Sequence, residues 1–111
     1  MKILIDGLNE FYGENVRLVK TLMKRESPEE HPELMKWALQ MLYFNGKDWI
    51  EICRIDNYPH EQENGSHIHF YKKDEVKRLE LDFQEANKLI KEISQKILRE
   101  KFNENVNFGD D

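Results

Sequence analysis

Three of the four histidines, His60, His67 and His69, fall within residues 54–73, RIDNYPHEQENGSHIHFYKK, just behind Arg54 and Asp56. An imidazole titrates close to neutral pH, so a pair of them can divide a reaction, one taking a proton and the other giving it. In RNA cleavage one imidazole would take the proton of a ribose 2′-hydroxyl, and another would protonate the leaving oxygen. His60, His67 and His69 are the candidates for those roles, with Asp56 orienting an imidazole. Arg54 and Lys72 would meet the phosphate as charge builds on it. Tyr58 and Tyr71 offer rings on which an unpaired base could stack.

The same side chains support a second chemistry. Neutral imidazoles beside a carboxylate bind zinc, iron or manganese, and His60, His67 and His69 would then be the ligands of a divalent transition metal. If cleavage is acid–base chemistry alone, no cofactor is needed. A third reading requires no chemistry: the histidines line the solvated side of an antiparallel sheet, and the chain is a non-catalytic module that binds a partner.

The elements that must position these residues follow from pattern. His67, Ile68, His69 and Phe70 alternate, so a strand there puts Ile68 and Phe70 on one face and leaves His67, His69 and Tyr71 on the other, with the two imidazoles about 7 Å apart along the backbone. Asn45-Gly46, a pair that tolerates positive φ, separates WALQMLYF from WIEICRI and marks a β-hairpin, although residues 33–43 also suit a helix. Residues 15–26 read as an earlier strand, residues 27–33 with their two prolines as a loop, and VKRLEL as one further strand. Asp82 with Glu85 three places on forms a capping box. The helix it opens carries Phe83, Ala86, Leu89, Ile90, Ile93 and Ile97 along one stripe. The expected fold is therefore α+β, an antiparallel sheet of four to five strands packed by one long C-terminal helix.

A chain of 111 residues suits a single domain, with its core over residues 15–102 and an acidic tail, residues 103–111, that frays. Charged residues make up 35% of it and no apolar run is long enough to span a bilayer, so a soluble, cytoplasmic protein with no membrane role is expected. Cys53 is the only cysteine, which excludes an internal disulfide and favours a buried thiol. The net charge of −5 argues against wrapping nucleic acid by charge alone, yet leaves room for a small cleft on RNA and favours a basic protein partner. An open sheet also leaves edges that a homodimer would cover. ILIDGLN resembles the first strand of PIN and NYN nucleases, which would make Asp6 and Asn9 site residues, but the hairpins that follow do not build their parallel sheet. Asp6-Gly7 is read as a turn, with Phe11 and Tyr12 tucked against the core.

The order of strand, hairpin, Asp56-Asn57, polar loop, Gly65-Ser66-His67-Ile68-His69, charged strand and final helix resembles the TumE family of small proteins encoded in toxin–antitoxin pairs. The resemblance spans about residues 15–100. It implies a toxin-type component that pairs with a protein antitoxin and attacks RNA.

Overall fold

The computed structural model describes residues 1–59, 65–72 and 76–109. Six strands run as an antiparallel meander in chain order: β1 (Lys2–Phe11), β2 (Val16–Lys24), β3 (Met35–Phe44), β4 (Trp49–Asp56), β5 (Ser66–Phe70) and β6 (Val76–Leu79). The helix α1 (Phe83–Phe102) then crosses back over β3 and β4. The α+β architecture matches the expectation, with one or two more strands than the pattern suggested.

β3 shows why the helical reading of residues 33–43 loses. Trp37, Leu39, Met41 and Tyr43 are buried at strict two-residue intervals, a period that only a strand can place on one face. Their register partners Leu18 and Val16 on β2, and Cys53 and Ile55 on β4, continue the same apolar layer, and Ile68 extends it on β5. Ala86, Ile90 and Leu98 of α1 close that layer from above. The helix begins where its box requires: Asp82 Oδ1 accepts from the Glu85 amide at 2.8 Å, and Glu85 Oε1 accepts from the Asp82 amide at 3.0 Å. The β3–β4 hairpin turns through Asn45-Gly46, where Gly46 takes φ +96° and Asn45 Oδ1 accepts from the amides of Lys47 and Asp48.

Two sequence expectations fail at the termini. Asp6-Gly7 is no turn but part of β1, whose register against β2 slips between Ile3 and Ile5 and again between Ile5 and Leu8. Each slip is a β-bulge, and Gly7 absorbs the second with φ +61°. β1 therefore continues past Gly7 to Phe11, which stands exposed instead of tucked into the core. The tail does not fray before its last described residue. Phe108 is buried with its ring 4.8 Å from that of Tyr12, and the Val106 carbonyl accepts from Gln95 Nε2 at 2.9 Å. Tyr43 OH also donates to Glu104 Oε1 at 3.1 Å. Two apolar side chains spaced two apart suffice to pin the segment beside the helix.

Candidate functional site

On the face opposite α1, β4 and β5 pair so that Arg54 lies across from His69 and Asp56 across from His67. Asp56 Oδ2 is 3.6 Å from His69 Nε2 and 3.4 Å from Arg54 Nε, so one carboxylate oxygen stands between a guanidinium and an imidazole. Its other oxygen, Oδ1, accepts from the Tyr58 amide at 3.0 Å, an Asx turn that holds the carboxylate as the chain leaves β4. Arg54 reaches a second carboxylate, Glu51 Oε2, at 3.7 Å, and Gln40 Nε2 donates to that same oxygen at 2.8 Å. Gln40, Glu51, Arg54, Asp56 and His69 thus form one connected polar chain across three strands.

Burial sorts the two histidines of the HIH stretch. Alternation does put both on the face away from the helix, but the side chain of His69 keeps 16% of its surface in solvent, whereas His67 is only 1% exposed. His67 sits on an inner strand with Asp56 across from it on one side and Arg78 on the other, so it is not the open-face group that alternation alone suggests. His69 is the more exposed of the two, although its Nε2, against Asp56, is itself buried. His60 lies outside the described residues. Among the described residues no three His, Cys, Asp or Glu side chains converge as a metal ion would need.

Tyr58 and Arg54 belong to this face, and Tyr71 and Lys72 do not. Lys36 Nζ stands 4.4 Å from the centre of the Tyr58 ring, close to Asp56. Burial and the Asp56 charge push the Tyr58 hydroxyl above its ordinary pKa, so it stays protonated. β5 ends at Phe70 and the chain turns at Lys72, whose φ of 52° is left-handed, so the alternation no longer applies. Tyr71 consequently swings to the helix side, its ring 5.3 Å from that of Phe102, and Lys72 Nζ lies 5.5 Å from the Tyr71 ring. Expectations that Tyr71 and Lys72 join the histidines are corrected by this turn.

The neighbouring residues of the resembling motif have structural work. Gly65, at φ +100°, leads into β5 where a Cβ would stand 3.3 Å from Arg78 Nε. Ser66 Oγ donates to the Leu79 carbonyl and accepts from the Leu81 amide, tying the start of β5 to the end of β6. Asn57 is buried and continues the β3–β4 ladder with its side chain: Oδ1 accepts from the Trp37 amide at 2.8 Å, and Nδ2 donates to the Met35 carbonyl at 2.7 Å.

Sequence reasoning missed Glu51 because a bulge intervenes, and Gln40 because its place opposite Arg54 depends on the β3–β4 register. The register slip opposite Met41 and Leu42 places Glu51 and Arg54, three apart, on one face, where strict alternation would separate them. The available signal was the adjacent apolar pair Ile52-Cys53, both wholly buried, which a regular strand over one core face does not accommodate. The aromatic ledge on the same face was missed too: the Arg17 guanidinium is 4.4 Å from the Trp49 ring centre, and Trp49 lies 5.4 Å from Phe44.

No family model, no curated protein and no solved structure matches the chain.

Proposed function

We propose that the chain is the toxin-type component of a toxin–antitoxin pair, similar to the TumE family, and that it cleaves RNA by acid–base chemistry centred on His69. The observation that carries this reading is the position of Asp56 between Arg54 and His69, with His69 the more exposed imidazole of the HIH pair. The Asp56 carboxylate against the imidazole fixes its ring, which suits it to take a proton from the 2′-hydroxyl. The freed 2′-oxygen attacks phosphorus, the bond to the 5′-oxygen breaks, and a second acid, assigned to His60, protonates the leaving oxygen. Arg54 stands within reach of the phosphoryl oxygens that gain negative charge in that step. His67 supports Asp56 from the neighbouring strand and does not itself touch RNA. Tyr58 and the Trp49–Phe44 ledge supply surfaces on which unpaired bases stack.

The net charge of −5 fits the rest of the reading. An acidic chain repels bare nucleic acid away from its cleft and attracts a basic antitoxin, which would silence it. Purified protein, free of any histidine tag, should cleave single-stranded RNA in the presence of EDTA. His69→Ala and Asp56→Asn should each reduce the rate by about 100-fold or more, the usual contribution of a positioned acid or base. Undiminished cleavage by both variants would remove the cluster from the mechanism. Activity that returns only with zinc, iron or manganese would replace acid–base cleavage by metal chemistry.

A further inference from the structure

Two cations on the face opposite α1 have no carboxylate to answer them. Arg17 and Lys36 form no ion pair among the described residues, in a chain whose net charge is −5. Each lies instead on an aromatic ring: the Arg17 guanidinium is 4.4 Å from the centre of Trp49, and Lys36 Nζ is 4.4 Å from that of Tyr58. Phe44 widens the first platform, 5.4 Å from Trp49, and Phe11, across from Arg17 on β1, stands 60% exposed. Arg17 registers with Leu42, and Leu42 and Lys36 are about 20 Å apart along β3 at a strand's rise of about 3.4 Å per residue. Gln40, Arg54 and His69 stand abreast between them. The two acids of β4, Glu51 and Asp56, are each paired with Arg54.

A ring beside a cation that no carboxylate neutralises suits one unpaired nucleotide, its base on the ring and its phosphate on the cation. We infer that this face holds single-stranded RNA lengthwise along β3 and β4, with Arg17–Trp49 and Lys36–Tyr58 as clamps on either side of the Asp56–His69 group. The inference rests on the reading that this group acts on RNA, and it gives that substrate a form. The strand is unpaired and covers about four nucleotides, the lower end of the site sizes of single-strand binding folds. A duplex fits neither clamp, because its bases are already stacked on one another.

The test is fluorescence anisotropy of a labelled 2′-O-methyl oligonucleotide of about eight nucleotides, titrated with the full chain in EDTA at several salt concentrations. This strand lacks the 2′-hydroxyl that cleavage consumes, so it reads binding alone. Each phosphate contact to a single strand contributes about 0.7 to the slope of log Kd against log salt. Arg17→Gln and Lys36→Gln should each weaken binding and lower that slope by about 0.7, whereas Trp49→Leu should weaken binding about tenfold at an unchanged slope. Neither a duplex of the same sequence nor polyglutamate should compete. The inference is overturned if the strand does not bind at low salt, if neither cation moves the slope, or if duplex or polyglutamate competes equally. Binding with these slopes and no cleavage of ordinary RNA would overturn the cleavage reading and keep the track. Cleavage of ordinary RNA by a protein that does not hold the 2′-O-methyl strand would do the reverse.

Discussion

Asn57→Ala isolates what holds the Asp56 end of β4 in place. The substitution removes the acceptor of the buried Trp37 amide and the donor to the Met35 carbonyl, bonds of 2.8 and 2.7 Å. Each buried backbone group left without a partner costs about 1–3 kcal/mol. The Trp37 amide is fully buried and takes the upper part of that range, while the Met35 carbonyl is partly buried and takes the lower, so the sum is about 3 kcal/mol. For a chain of this length each kcal/mol moves the melting temperature by about 4 °C, and the variant should melt roughly 12 °C below wild type. Glu33→Ala provides the control. It removes only the 3.0 Å bond from Asn57 Nδ2 to a carboxylate at the surface and should shift stability by less than about 0.5 kcal/mol. Urea unfolding followed by tryptophan fluorescence reads both. An Asn57→Ala midpoint equivalent to a loss under about 1 kcal/mol would refute the reasoning, because buried polar groups of the β3 backbone cannot be abandoned so cheaply.

Three further outcomes follow from burial. His67→Ala, emptying a buried position, should lose about 1–3 kcal/mol, and His69→Ala distinctly less; equal losses in urea unfolding would contradict the sorting of the two imidazoles by exposure. His31 is buried in the loop before β3, and burial pulls its pKa below the ordinary 6.5, against an opposing pull from Glu33. The unfolded chain then binds the proton more readily. The stability this group contributes is complete above about pH 6.5 and declines as the pH falls below it toward the lower folded value, so His31→Gln should flatten the wild-type stability profile between about pH 7 and 5. Burial pushes the Cys53 thiol up to about 12, so iodoacetamide at pH 8 should leave the native protein unlabelled and label it fully in denaturant; rapid native labelling would place the thiol elsewhere.

Much of the fold is legible because its elements are locally consistent. The alternation of Trp37, Leu39, Met41 and Tyr43, the Asn45-Gly46 turn and the Asp82–Glu85 box each act within a few residues of themselves. What escapes are features set by partners distant in the chain. The bulges of β1 depend on β2, and Phe108 is held by Tyr12, almost the full chain length away. At the site, the pairing of Asp56 with HIH could be anticipated from strand order. The loss of Tyr71 to the other face could not, because one left-handed residue at Lys72 cancels the alternation on which it rested. His67 shows the same boundary: pattern assigns a side of the sheet, while exposure depends on what stands on the strands to either side.

The central claim, that His69 with Asp56 and Arg54 cleaves RNA through its own 2′-hydroxyl, is tested most directly by the chemistry of the new ends. A short RNA of known sequence is incubated with the tag-free protein in EDTA, and the fragments are weighed by mass spectrometry. Attack by the 2′-oxygen predicts a 2′,3′-cyclic phosphate on the upstream fragment and a 5′-hydroxyl on the downstream one, formed by wild type and lost in Asp56→Asn. Intact RNA throughout, or fragments bearing 5′-phosphate and 3′-hydroxyl ends, would contradict it.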